Sequence, residues 1–497
     1  MGRNKKLAKN VVFILIGNIG SKLVGFFMLP LYTAWLSPED YGLTDLLTVY
    51  ASLLLNVVAC DVSDAIYIFP IKASREKVKA YYSSGFFFQI ICSLLCAVVF
   101  GLVSKIPLHN TFVDNIWYIY GILISGLFQK YTQDFCRGIN KMSVFSFTGI
   151  IQTFTTAGLS IAFIPRFGVY GFVVATIVSN LATALFTFFY SKSYEYLSVT
   201  NIQLKSLKEL LQFSIPLIPT AVLWWLVSGL NRPLLEQYAG LFALGLMAVA
   251  SKLPTIMNLV FTFFQQAWIV TVVEEFKKED FCEYFNKMYR LIMAVQIVAC
   301  MGIVVFAHPF IKLMTNERYN DAWMYIPLLA LSVIFSNMSA FLGTVFSASK
   351  QTKFTFYSVV VGGLAALGLN YLLIPYWGLW GACFAIVLSQ LICALSRLYY
   401  SRKIVRFTSV AFSVKQCLLF VLIYICSLIF EHITLIMSYI ICVLLYYWFN
   451  KDILLMAFNV VREKIIKNEE YLFYNIRCTS CTCSKRWSHR TVDSATM

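Results

Sequence analysis

Ile164-Pro165-Arg166-Phe167-Gly168-Val169-Tyr170-Gly171 has a counterpart 210 residues further on, Ile374-Pro375-Tyr376-Trp377-Gly378-Leu379-Trp380-Gly381. Carried on to Lys192 and Arg402 at that constant offset, the two segments share 11 identities in 29 positions, including Ala175/Ala385, Ser179/Ser389 and Leu181/Leu391. In both, residues that interrupt a helix are followed by the same apolar helix, which is the signature of an internal repeat. A second pair of matches lies nearer the start of each half. Pro30-Leu31 aligns with Pro233-Leu234, and Gly42-Leu43 with Gly245-Leu246, at an offset of 203.

The stretches around these matches are apolar. Of 497 residues, 59% are hydrophobic and 13% charged, and the mean hydropathy is +0.73. Soluble domains carry roughly 25% charged residues, so this composition excludes an ordinary globule. Runs of about twenty apolar residues, enough to cross a hydrocarbon core of roughly 30 Å, recur along the chain. The first, Val11 to Leu36, is too long and too polar in its middle for a cleaved signal peptide and reads as a retained span. The pattern predicts fourteen spans, near residues 11–36, 43–66, 86–104, 116–136, 144–164, 169–190, 210–231, 241–264, 288–308, 322–346, 354–374, 378–396, 416–430 and 433–450. Six spans separate corresponding points of the repeat, and six is even, so both halves run in the same direction. The fold class predicted is an all-α polytopic membrane protein: two parallel six-helix repeats, residues 1–200 and 201–405, an extra helix pair, 406–450, and a basic tail, 451–497.

Charge sets the orientation. With the N-terminus cytoplasmic, 33 of the 40 Lys and Arg residues fall in cytoplasmic segments or at inner helix ends. Lys105, Arg166, Arg232, Lys312 and Arg318 fall outside, and Lys22 and Lys252 lie within spans. The bias predicts a multi-pass protein of the plasma membrane with both termini cytoplasmic. It also accounts for the net charge of +16 without a nucleic-acid partner. The 14 cysteines are scattered, except for Cys478, Cys481 and Cys483. Those three have only His489 nearby, so neither a metal site nor a cofactor is expected.

Charges inside a membrane are costly and mark function by default. Lys22 and Lys252 each lie 11 residues into a span, roughly 16 Å at about 1.5 Å per residue. One cation thus comes from each half at similar depth. Asn18 and Lys22 share a face of the first span. Asp45-Thr48-Ser52-Asn56-Ser63 forms a polar stripe on the second, and Ser251-Thr255-Asn258-Thr262 another on the eighth. One reading makes both stripes the walls of a hydrated cavity with a cationic middle, suited to an anionic headgroup. The other makes the hydroxyls helix glue, worth about 0.6 kcal/mol per contact. Asp61 and Asp64 either bind a coupling cation or pair with Lys72, Arg75 or Lys77. Arg232 either reaches for the interface or faces the cavity.

Gly20-Ser21-Lys22 through Pro30, followed by Leu36-Ser37-Pro38-Glu39-Asp40-Tyr41-Gly42-Leu43, resembles the opening of the polysaccharide-transport flippases of the multidrug/oligosaccharidyl-lipid/polysaccharide exporter superfamily. Asn231-Arg232, Gly245 and Ala250-Ser251-Lys252 resemble the start of that family's second half, with Asn231 for its Asp and Met247 for its Tyr. Trp380-Gly381-Ala382 resembles the turn opening its twelfth helix. The resemblance covers about residues 7–405. After the second span, Asp61-Val62-Ser63-Asp64-Ala65-Ile66-Tyr67 replaces the family's Gly-rich segment with an Arg.

The resemblance implies transfer of an undecaprenyl-diphosphate-linked oligosaccharide to the outer leaflet of a bacterial membrane for polysaccharide biosynthesis. It also implies alternating access driven by sodium or protons, with a glycan polymerase or glycosyltransferases as further partners beside the membrane lipids. The polar residues within and beside the spans, read for themselves, give Asn18, Lys22, Ser52, Asn56, Asn231, Arg232 and Lys252 as cavity candidates and Asp45, Asp61 and Asp64 as ion-coupling candidates. No Gly-x4-Gly-Lys-Ser/Thr loop for ATP is present. A lipid II flippase or a multidrug/cation antiporter fits the same fold, although cations would prefer acidic walls. A membrane glycosyltransferase or polymerase would need a large external loop with acid or His chemistry, so no enzyme is expected.

Overall fold

The computed structural model describes residues 26–107 and 110–409, together with scattered positions between 412 and 440. Asn18, Lys22, most of the predicted extra helix pair and the tail lie outside the described residues. Among those described, every regular element is helical, and eight helical stretches are long and apolar enough to cross a membrane. The chain divides into two compact units, residues 1–282 with 299–407 and residues 283–298 with 408–497.

The first unit opens with α1, Leu29–Trp35, and α2, Pro38–Val58. The start of α2 is written into Ser37-Pro38-Glu39-Asp40. The Ser37 hydroxyl accepts the Asp40 amide at 3.2 Å, and the Asp40 carboxylate accepts the Ser37 amide at 3.3 Å. This reciprocal cap, with Pro38 at the first helical position, starts the helix five residues before the apolar run that begins at Leu43.

The run predicted as one helix over 43–66 is two helices. Cys60 and Asp61 take left-handed φ values of 47° and 48°, which ends α2 and starts α3, Val62–Ile68. Gln89 Nε2 donates to the freed Ala59 carbonyl at 3.3 Å. Two adjacent non-glycine residues in this region cost about 1–3 kcal/mol each, which apolar patterning cannot register.

Next come α4, Arg75–Val103, α5, Ile116–Gly138, and α6, Met142–Tyr190. Tyr82 of α4 lies against Tyr131 and Phe135 of α5 with ring centroids 5.4 and 4.0 Å apart, and the Tyr131 hydroxyl donates to the Tyr82 carbonyl. They are followed by α7, Leu204–Ser214, α8, Ile218–Ser228, α9, Asn231–Ala250, and α10, Lys252–Glu275. Pro254 has no N–H to offer the Ala250 carbonyl, which accounts for the interruption between α9 and α10 and leaves Lys252 beside it. The first unit also holds the ends of α11, Phe281–Met314, and all of α12, Ile326–Ala348, and α13, Lys353–Ser401.

Helices α6 and α13 are the two halves of the sequence match, and each spans 49 residues. Each reverses at its glycine, Gly168 at φ 56°, ψ −129° and Gly378 at φ 51°, ψ −125°. Only glycine adopts that region readily. Beyond the turn the chain returns so closely that a Cβ on Gly171 would lie 2.5 Å from the Phe163 carbonyl oxygen, and one on Gly381 would meet the Leu373 carbonyl. Gly378→Ala is therefore expected to destabilise the protein by about 1–3 kcal/mol. Thermal unfolding in detergent should show a lowered midpoint. Gly158→Ala, at an open helical position with nothing within 4 Å, should leave it unchanged or raised.

In the second unit, Asn286 Oδ1 accepts from the Thr408 amide at 2.9 Å and from the Thr408 and Ser409 hydroxyls at 3.2 and 3.1 Å. Arg290 Nε donates to Ser409 Oγ at 3.0 Å. These bonds fix residues 408 and 409 against the second and third turns of α11.

Candidate functional site

The matched glycines near the start of each half meet one another. A Cβ on Gly42 would strike the Leu241 carbonyl and lie 2.8 Å from the Gly245 amide; one on Gly245 would strike the Pro38 carbonyl. Pro38 and Leu241 are themselves related by the offset of 203. The contact is thus reciprocal: each glycine lies against the segment that carries the other. Backbones approach this closely only where side chains are absent, the device by which membrane helices pack through small residues.

Charged groups gather one turn from this crossing. Asp45 of α2 lies one turn beyond Tyr41, and its Oδ2 accepts from Arg232 Nε of α9 at 2.6 Å. Arg232 Nη1 also reaches the Ser228 carbonyl at 3.1 Å and Asn231 Oδ1 at 3.4 Å. Lys252 Nζ sits 5.6 Å from the centre of the Tyr41 ring, within the field of both Asp45 and Arg232. It has no salt bridge among the described residues, whereas Arg232 has one. Asp45 thus pairs with Arg232, while Lys252 lies against Tyr41 without a salt bridge among the described residues. Glu236, one helical turn after Arg232, accepts from the Thr111 hydroxyl at 2.5 Å.

Hydroxyls of the polar stripes bond the backbone of their own helices. Thr48 and Ser52 donate to the Thr44 and Val49 carbonyls of their own helix, and Thr255 and Thr262 to those of Ser251 and Asn258. Their hydroxyls are satisfied internally; Thr48, Ser52, Thr255 and Asn258 are exposed, and Thr262 is half-buried. Asn56 is half-buried, and Asn231 is buried with its amide nitrogen 3.9 Å from Met247 Sδ.

Asp61 and Asp64 stand apart from this cluster. Both pair with Lys130 of α5, at 3.4 and 3.1 Å. Arg75 pairs instead with Glu195 at 2.9 Å. Asp134, four residues after Lys130, pairs with Arg137 at 3.0 Å, and the Arg137 guanidinium lies 4.3 Å from the Tyr67 ring centre. Asp61 is buried and Asp64 half-buried, so Lys130 joins two carboxylates of different burial. Reading charges as topology markers hid Lys130; its spacing to Asp134 and Arg137 along one helical face was the available signal. Tyr41 and Glu236 gave no signal beyond their residue types.

Comparison with known proteins gives the family. The model for "Polysaccharide biosynthesis protein" matches residues 7–274. The chain is 21% identical to the capsular polysaccharide biosynthesis protein CapF of Staphylococcus aureus, over 80% of this chain and 100% of that one. It is 22% identical to a putative O-antigen transporter of Shigella dysenteriae, over 78% of this chain and 98% of that one. Among solved structures, the lipid II flippase MurJ in its inward closed conformation superimposes with a TM-score of 0.65 at 16% identity, covering 89% of this chain and 100% of that one. The same helical fold occurs in MOP-superfamily transporters. With more than half its length matched, the chain belongs to the polysaccharide biosynthesis protein family, and it has the fold of the membrane flippases and transporters of the MOP superfamily.

Proposed function

We infer that the chain carries an undecaprenyl-diphosphate-linked oligosaccharide from the cytoplasmic to the outer leaflet of a bacterial plasma membrane, by ion-coupled alternating access and without enzymatic chemistry. The observation that supports this reading best is the crossing of α2 and α9. There two sequence-matched glycines meet reciprocally, and Arg232, in a salt bridge, and Lys252, without one among the described residues, stand beside them. A joint that binds two halves backbone to backbone, next to groups that attract phosphate, suits a carrier whose halves part around an anionic headgroup.

In this reading fourteen helices form two parallel six-helix halves, residues 1–200 and 201–405, with the pair 406–450 and the tail 451–497 outside the repeat and both termini cytoplasmic. The crossing then lies toward the outer surface. Lys252 and Arg232 meet the diphosphate, with Lys22, Asn18 and Asn231 beside them, while Ser52 and Asn56 face the sugars. Diphosphate displaces Asp45 from Arg232, exchanging one anion for another at the same guanidinium. Asp61 and Asp64 hold Lys130 or, in its place, a proton or sodium ion, which couples transport to a gradient. A glycan polymerase or glycosyltransferases are the partners on either side of the step.

Deleting the gene and analysing membrane lipids by mass spectrometry tests the reading. The expected result is accumulation of a polyprenyl-diphosphate oligosaccharide with loss of one surface polysaccharide. Accumulation of the peptidoglycan precursor lipid would reassign the cargo to lipid II. Unchanged glycans with new sensitivity to cationic dyes would replace the reading by drug export.

A further inference from the structure

Helix α7 packs one face and leaves an apolar one open. Ser206, Leu210 and Ser214, one turn apart, are buried. The Glu209 carboxylate on the same helix accepts from the Tyr81 hydroxyl of α4 at 2.6 Å. The approach to the helix is pinned as well, because Ser84 Oγ accepts the Gln203 amide at 2.9 Å. This docking leaves a second row, Leu204, Leu207, Leu211 and Ile215, spaced at three and four residues along the helix. Leu204 is 82% exposed and Ile215 50%. The row forms the floor of a trough of ≈ 540 Å³ whose lining is nearly all apolar. Lys208 and Gln212 stand at its rim, and Lys205 is exposed beside them. Lys77 of α4, one turn before Tyr81, is also exposed.

We propose that α7 is a binding site for an anionic glycerophospholipid: the trough takes one acyl chain, and Lys205 and Lys208 take the phosphate. Charge complementarity selects this occupant. The only carboxylate within the helix is Glu209, already bonded to Tyr81, so the open flank is cationic. An aliphatic face flanked by lysines is the arrangement that sinks a helix into the boundary between headgroups and acyl chains. The helix is short and rigidly docked on α4, which distinguishes a defined site from a general affinity for the bilayer. The site is independent of the cargo and of the crossing.

The full-length protein in nanodiscs, examined by native mass spectrometry with phosphatidylglycerol and phosphatidylcholine of identical chains as probes, tests the site. The wild type is expected to retain phosphatidylglycerol selectively. Removing both charges by Lys205→Gln and Lys208→Gln should cut that preference roughly 30-fold, about fivefold per lysine. Both lysines are exposed, so folding is not at stake. A wild type without preference, or a double variant that keeps it, overturns the proposal. A photo-reactive residue replacing Leu207 identifies the occupant in cells. A phospholipid adduct supports the site, whereas cross-linking to residues 1–9 of this chain or to another protein overturns it.

Discussion

Gly245→Val is expected to abolish glycan export while leaving the protein in the membrane at its normal level. The side chain would fall on the Pro38 carbonyl, a backbone group that cannot swing aside as a side-chain end would. Overpacking of this kind costs about 1–3 kcal/mol. The cost falls on the conformation in which α2 and α9 cross, so it shifts the balance against that state by roughly 5- to 150-fold. Gly42→Val, which meets the Leu241 carbonyl, should do the same. Surface polysaccharide measured on intact cells reads export, and size-exclusion chromatography of the solubilised protein reads folding. Normal export from a well-folded Gly245→Val protein would remove the crossing from the transport cycle.

The second large effect is expected at the charges beside the crossing. Lys252→Ala should lose most export, and Lys252→Arg should retain a substantial part, because the requirement is a cation at that depth. Asp45→Ala leaves the Arg232 guanidinium, 18% exposed, without its carboxylate. Truncating one member of such a pair costs about 2–5 kcal/mol, much of it from the charge left behind. The double variant Asp45→Ala/Arg232→Ala should therefore be more stable to heat than Asp45→Ala alone, although it has lost two residues. Strictly additive losses in that cycle would mean that the two side chains act separately.

The helical turns were legible in the sequence because they are local. The reversals at Gly168 and Gly378 follow from Pro and Gly chemistry within eight residues, whereas apolar patterning placed the start of α2 five residues late, at Leu43 rather than Pro38. The match at an offset of 210 showed which elements correspond, and the structure gives those two glycines nearly the same φ and ψ. The break at Cys60 and Asp61 was not legible. Asp61 was read there for its charge and not for its backbone, and the bond that receives the freed Ala59 carbonyl comes from Gln89, on another helix.

Of the candidate site, the residue types could be read from the chain, but not the pairing of the charges. Arg232 and Asp45 are 187 residues apart, and Lys130 lies 69 from Asp61. A charge carries no mark of the partner that will neutralise it, since that depends on which helix faces are brought together. The sequence could therefore supply a family, a set of apolar helices and a short roster of buried charges. Only the tertiary structure decided that Asp45 offsets Arg232, that Lys252 stands without a salt bridge among the described residues, and that Gly42 lies against Gly245. Periodicity along one helix fixes what each face contains, whereas the contacts between faces are fixed by packing the bundle as a whole.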